Sequence, residues 1–493
     1  VASTAEKTWS EKSWAEKAGA EKIGNETAPV SVRSARWALA SLSLSTLLSS
    51  LATSIASVGL PSLMQAFGAS FQLVQWVVLA YLLAITTLIV SAGRLADIFG
   101  RRPLLLGGIG LFTFASVLCG LAPTLWLLIA ARAAQGLGAA VMMALTLTFI
   151  ADTVPREKTG SAMGLLGAMS AIGTTLGPSL GGLLIAGLGW RAIFLINLPL
   201  GALAFALARR VLPAGKKSAE PDRRGFDGIG TALLALTLAA YALAMTLGRG
   251  SFGSLNVGLL IAAAVGGLLF VIAQTSAENP LIQPARFRDS ALNASLAMSL
   301  VVATVMMATL VVAPFYLSRA LGLDAAMVGL VLSAGPLVTA LAALPAGRLV
   351  DRFGAHRMMI VGLLDLAIGI FILSQAEFGI AGYVVPIIIV CTGYSLFQTA
   401  NNSAVMTGVA SDQRGVVSGL LNLSRNLGLI TGASVMGAVF AFASAGGGEG
   451  TGRQVLASAA AARGMQVTFQ VATALVVAAL IIAIISGRRG QRA

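Results

Sequence analysis

From residue 36 onward one pattern recurs: a long apolar run, a short polar connection, then another apolar run. The runs lie near 36–60, 73–93, 103–121, 124–151, 160–187, 192–211, 228–247, 255–275, 290–318, 326–347, 357–375, 380–407, 416–442 and 466–486. Crossing a bilayer as a helix takes about 20 predominantly apolar residues. The pattern therefore predicts an all-α integral membrane protein with fourteen transmembrane helices, numbered here as spans 1–14.

The polar connections differ in charge on alternate sides. One set holds Arg94, Arg101, Arg102, Arg156, Lys158, Arg209, Arg210, Lys216, Lys217, Arg223 and Arg224, and later Arg286, Arg288, Arg348, Arg352, Arg357, Arg414, Arg488, Arg489 and Arg492. The other holds Arg191, Arg249, Arg319, Arg453 and Arg463. Cytoplasmic loops carry the Lys/Arg excess, so both termini are expected in the cytoplasm.

A repeat divides the chain. Residues 93–106 read GRLADIFGRRPLLL and residues 347–360 read GRLVDRFGAHRMMI, 254 positions apart. VPREKTGSAMG at 154–164 and VASDQRGVVSG at 409–419 lie 255 positions apart. Two matches at nearly one offset imply two six-helix bundles in the same orientation, with spans 7 and 8 inserted between them. The expected parts are a disordered cytoplasmic tail (1–35), an N-terminal bundle (36–211), a cytoplasmic linker (212–227) and two inserted helices (228–275). A second linker (276–289), a C-terminal bundle (290–486) and a cytoplasmic tail (487–493) complete the chain.

Composition agrees with the periodicity. Of 493 residues, 57% are hydrophobic and only 11% charged, where a soluble protein carries about a quarter charged. The formal net charge of +14 raises nucleic-acid binding, but the basic residues are scattered through the inter-span connections rather than gathered on one module with aromatics. Cys119 and Cys391 both fall inside apolar runs and His356 is the sole histidine, which offers no disulfide framework, metal site or catalytic triad. No Walker A run is present, so ATP-driven transport and enzymatic chemistry are both disfavoured. No cofactor is expected; the expected partners are a small-molecule substrate, protons and the lipid bilayer, with the chain a monomer.

Several polar features inside or between spans stand out. Gly93 and Asp97 recur in the second half as Gly347 and Asp351, with Arg101 following in the first loop and Arg357 in the second; small residues permit a tight turn and the charges can pair across helices. Arg132 and Gln135 lie in span 4, the Arg roughly 12 Å from the helix end, a depth at which a charge needs a polar surrounding. Gly173, Gly177 and Gly181, with Pro178 and Gly182, place small residues on one face of span 5, where another helix can approach closely.

These residues, with Trp190–Pro199 opening span 6 and Phe226-Asp227-Gly228 opening span 7, resemble the major facilitator superfamily, specifically its fourteen-span drug:proton antiporter branch. The resemblance covers roughly residues 36–486. It implies that the loop Gly93–Arg102 and its repeat form a conformational latch, that Arg132 takes part in proton coupling and the central cavity, and that GxxxGPxxGG marks an exporter. One departure is plain. Where the branch has an Asp and an Asn in span 1, this chain has Ala52 and Ser57.

Polar residues at separations of three or four share a helix face and outline a cavity wall: Thr46, Ser50, Thr53 and Ser57 in span 1, Arg132 and Gln135 in span 4, Gln398, Asn401 and Asn402 in span 12, and Asn422, Arg425 and Asn426 in span 13. The alternative for the amides is interhelical hydrogen bonding, at ~0.6 kcal/mol per contact. Deep carboxylates are scarce: Asp365 in span 11, with Asp152 and Glu377 nearer helix ends. Asp365, Asp152 and Arg132 are the coupling candidates. The expected function is proton-driven export of small amphipathic compounds from the bacterial inner membrane by rocking of the two bundles. The alternative is export of an anionic or polar metabolite held by Arg132 and Arg425, with coupling outside span 1.

Overall fold

The computed structural model describes residues 32–153, 159–212, 227–247, 253–277, 289–375, 379–407, 414–444 and 453–490. Long helices follow one another as α1 (Val32–Val58), α2 (Trp76–Phe99), α3 (Arg101–Leu121), α4 (Leu125–Thr153), α5 (Thr159–Leu188), α6 (Asn197–Val211), α7 (Gly228–Thr246) and α8 (Ser254–Ser276). The second half supplies α9 (Ser290–Phe315), α10 (Ala325–Phe353), α11 (Ala355–Leu373), α12 (Gly379–Thr407), α13 (Arg414–Thr431) and α14 (Arg453–Gly490). Among the described residues thirteen helical segments are long and apolar enough to cross a membrane. The apolar stretch found in α5, Ile172–Leu188, is shorter, although the helix itself has 30 residues. The expected fourteen spans thus correspond to thirteen full segments and this one.

The repeat is visible in backbone geometry. Gly100 ends α2 with φ 87° and ψ 141°, and Gly354 ends α10 with φ 88° and ψ 143°. Glycine adopts positive φ without a Cβ penalty, which explains why FGR and FGA recur at the same place in the two halves.

Helix pairing repeats as well. In the first half α1 packs on α5 and α6, α4 on α2 and α3, and α3 on α6. In the second half α9 packs on α13 and α14, α12 on α10 and α11, and α11 on α14. The halves meet through α5 with α10 and α2 with α13, a pair of contacts that exchange under the pseudo-twofold relation.

The glycines of α5 make its packing possible. In lipid, helices associate by close van der Waals approach rather than by a hydrophobic force. A Cβ on Gly173 would lie 2.6 Å from the Leu47 carbonyl oxygen, and one on Gly177 2.7 Å from Ser54 Cβ, both in α1. Gly182, on another side of α5, meets Gly329 of α10 with a hypothetical Cβ–Cα separation of 3.0 Å. One glycine-rich helix therefore seats against its own bundle and the opposite bundle.

The inserted pair is placed unequally. α7 contacts α2 and the π-helical turn Gly432–Met436 that follows α13. Its bonds reach both halves: Trp76 Nε1 donates to Thr246 Oγ1 at 3.0 Å, and Tyr241 Oη donates to Thr431 Oγ1 at 3.3 Å. Asp227 caps α7 through Gly230 N at 2.7 Å and also accepts from Gln274 Nε2 of α8 at 2.7 Å. α8 is the least covered of the thirteen spans, with Ile261, Leu268 and Ile272 directed outward, as suits contact with lipid tails.

Candidate substrate cavity

A cavity of about 360 Å³ lies between the halves. From the first half it is lined by Ser49, Ser50, Thr53 and Ser54 of α1, Leu82 and Ile85 of α2, Met143 of α4, and Ser170 and Thr174 of α5. From the second half come Met306, Met307, Thr309 and Leu310 of α9, Gly335, Pro336 and Thr339 of α10, Tyr383, Cys391 and Tyr394 of α12, and Arg425, Asn426 and Leu429 of α13. Drug-sized ligands occupy pockets of about 300–1,000 Å³ that combine an apolar lining with a few polar groups, and the cavity fits that description.

One side of the cavity is sealed. At the end opposite the basic loops, Phe71 stacks edge-on against Phe315 with centroids 4.6 Å apart and lies 5.3 Å from Phe440. Gln75 Nε2 donates to the Ala433 carbonyl in the π-helical turn at 3.0 Å. The side chain of Gln75 also rests directly on Gly437, where a Cβ would collide with its amide. Beside them, Gly182 meets Gly329. On α1, α2, α10 and α13 alike, the residues lining the cavity lie on the basic-loop side of this seal.

Most hydroxyls of the first-half wall are committed as donors. Thr53 donates to Ser49 O at 2.9 Å, Thr174 to Ser170 O at 2.9 Å, and Ser54 to Ser50 O at 3.3 Å; Ser50 and Ser170 bond each other at 2.8 Å. Such back-bonding within a helix leaves lone pairs, not protons, toward the cavity. On the second-half wall Arg425 is half-buried, its Nε has no hydrogen-bond partner, and it forms no ion pair among the described residues.

The structure brings only some of the expected wall residues together. Thr53, Arg425 and Asn426 line the cavity, as does Ser50. Arg132 and Gln135 do not. Both are fully buried within the first bundle: Arg132 Nε donates to the Val77 carbonyl at 2.8 Å, its Nη1 to Gln135 Oε1, and Gln135 Nε2 to Ser116 Oγ at 2.6 Å. The guanidinium lies 4.1 Å from the Tyr81 ring centroid, and Tyr81 Oη donates to Ser49 O at 2.9 Å. Arg132 therefore stands one side chain behind the wall, held by polar groups of α2 and α4 and by the Tyr81 face, with Nη2 unpartnered.

Ser57 is buried above the cavity with an unpartnered Oγ. Asn401 is buried and reaches Ser295 O of α9 at 3.5 Å, a helix-to-helix tie rather than a wall position. Gln398 and Asn422 are half-buried and Asn402 is exposed; none lines this cavity. Asn422 has a bonding partner. Asp365 is half-buried at the crossing of α11 with α12, its Cβ facing Gly393, away from the cavity.

Of the latch residues, Gly347 has open space around it, and Asp351 and Arg357 are exposed; Arg101 is half-buried and engaged. The side chains at Gly93, Asp97 and Asp152, and all of Glu377, lie outside the described residues. The cavity residues sequence reasoning missed are Met143, Met306, Met307, Tyr383 and Tyr394. No periodic signal separates such residues from lipid-facing or core positions in a span.

Comparison with known proteins agrees with this geometry. The Major Facilitator Superfamily profile matches residues 42–433 and, in an overlapping match, 294–492. Multidrug resistance protein Stp of Mycobacterium tuberculosis (strain CDC 1551 / Oshkosh) is 34% identical over 391 residues, covering 78% of this chain and 72% of that protein. The uncharacterized transporter YebQ of Escherichia coli (strain K12) is 31% identical over 385 residues, covering 78% and 84%. The crystal structure of a D-xylose-proton symporter superposes with a TM-score of 0.64 at 16% identity, covering 90% of this chain and 96% of that one. Two pseudo-symmetric helix bundles around a sealed central cavity, together with these likenesses, make the chain a transporter rather than an enzyme, and it belongs to the Major Facilitator Superfamily.

Proposed function

We propose that this chain exports small amphipathic compounds from the bacterial inner membrane as a monomer, with both termini cytoplasmic, driven by the proton gradient through rocking of its two bundles. The observation that carries this reading is the amphipathic cavity between the halves, sealed on one side by Phe71, Phe315, Phe440 and Gln75. With the Arg-rich loops on the cytoplasmic side, that seal faces outward and the cavity belongs to the state that collects substrate from inside. The likeness to a protein named for multidrug resistance supports export, as does the glycine motif of α5.

Rocking would open the seal and bring together the repeated loops carrying Asp97, Arg101, Asp351 and Arg357, which then act as the latch. Coupling does not run through span 1, where Ala52 is an apolar, buried residue. Asp365 and Asp152 remain the carboxylates to test.

Counterflow in proteoliposomes tests the reading, with a cationic dye, an anionic dye and a neutral drug each preloaded against its labelled form. Exchange of at least one compound above the level of protein-free vesicles is expected. No exchange of any of the three would refute it.

A further inference from the structure

We propose that the cavity is a binding site for amphipathic anions, in which a carboxylate or sulfonate seats on Arg425 and Asn426 and the apolar body lies along Met143, Met306 and Leu310. This rests on the reading of the cavity as the transport site and deepens it by naming the substrate class.

Three observations converge. Arg425 is a cation inside the apolar segment Leu420–Ser444 whose Nε is buried and unpartnered, with no ion pair among the described residues. A charge in that position is expensive unless something compensates it. No Asp or Glu is among the residues lining the cavity, so the protein offers that compensation from none of the described wall positions.

The donors are also segregated. Hydroxyls of Thr53, Ser54 and Thr174 spend their protons on carbonyls of their own helices. Free donors therefore concentrate on the second-half wall: the guanidinium of Arg425, the amide of Asn426 beside it, and the hydroxyl of Tyr394. An anion finds charge-assisted bonds there, and these are about twice as strong as neutral ones. A cation finds Arg425 opposing it and no carboxylate to seat on.

The first half adds to the same bias. Arg132 lies behind the wall, separated from Ser49 by Tyr81. It too has no ion pair among the described residues, and its Nη2 is unpartnered. Two guanidinium groups without counter-carboxylates give the cavity a positive potential in a medium where charge is poorly screened. The ligand that fits is a monoanion with an aromatic or aliphatic body.

Equilibrium binding to the purified full-length protein in detergent isolates this inference from transport. Three probes share one body and differ in head group: 1-pyrenebutyrate, 1-pyrenebutanol and 1-pyrenebutylamine. The expected order places the carboxylate at least tenfold tighter than the amine. Arg425→Gln should remove that preference while changing alcohol binding less than threefold. Arg425→Lys should retain part of it, since charge persists but the bidentate fork is lost.

Thr53→Asp provides a second variant should Arg425→Gln fail to give monodisperse protein. A carboxylate on the opposite wall should weaken butyrate binding and tighten amine binding. Equal affinity for carboxylate and amine in the parent would overturn the inference. So would a carboxylate preference that survives Arg425→Gln, or unchanged butyrate and amine affinities in Thr53→Asp. Anion-selective binding without counterflow would uphold the binding site and refute the exporter reading instead.

Discussion

Replacing Gln75 by Met should release the seal. Met has similar length and volume but no donor, so the Ala433 carbonyl loses its 3.0 Å partner while the packing against Gly437 is kept. A buried carbonyl left unpaired costs about 1–3 kcal/mol. Gln75 Oε1 is already buried without a partner, and removing it offsets part of that cost. A net loss of about 1–2 kcal/mol from the sealed state changes its population ratio by a factor of about 5–30. Spin labels at positions 65 and 327, both exposed near the seal on opposite halves, would read the opening by double electron–electron resonance. The two native cysteines are buried, which keeps labelling selective. Gln75→Met should shift the distance distribution toward longer separations and should speed labelling of a cysteine placed at Phe71. An unchanged distribution would refute the view that this hydrogen bond holds the seal.

Other consequences are equally direct. Gly177→Leu drives a side chain into Ser54 and Ile55 of α1 and should lower stability by about 1–3 kcal/mol or more, read as a fall of several degrees in detergent melting temperature. Arg132→Lys cannot span the Val77 carbonyl, Gln135 and the Tyr81 face together, so it should cost about 1–3 kcal/mol of stability while leaving the order of probe affinities intact. Asp365→Asn should abolish gradient-driven uptake yet keep counterflow if Asp365 carries the coupling proton; retained gradient-driven uptake would exclude it. Cysteines at positions 217 and 447 should react with impermeant thiol reagents from opposite membrane faces, and labelling from one face would sink the topology.

Much of the fold is legible in the sequence because lipid imposes a simple rule. Every backbone polar group in the bilayer core must be satisfied within its own helix, so spans appear as uninterrupted apolar runs. The half-chain repeat is legible for a different reason: FGR and FGA mark a positive-φ glycine at one place in each half. Thr53, Arg425 and Asn426 were readable as wall residues because their polarity contrasts with their span.

Arg132 shows where that reasoning stops. Depth along a helix follows from residue count, but the direction a side chain takes depends on neighbours from other helices. Arg132 turns toward Val77 and Tyr81 of α2 rather than toward the cavity. The methionines and tyrosines of the wall carry no contrast with core residues at all. The seal depends on a π-helical turn after α13 that brings Ala433 toward Gln75, and a separation of 358 positions leaves no local signal.

On the proposed reading, a proton gradient drives substrates through the cavity and out of the cell. Proteoliposomes with the protein oriented inside-out, an acid lumen and external 1-pyrenebutyrate test it most directly. A weak acid partitions passively away from an acid compartment, so luminal accumulation must come from the protein. Accumulation of 1-pyrenebutyrate should collapse on adding a protonophore and be absent in protein-free vesicles. Failure of 1-pyrenebutyrate, 1-pyrenebutanol and 1-pyrenebutylamine alike to accumulate beyond the level of protein-free vesicles under the same gradient would refute that reading.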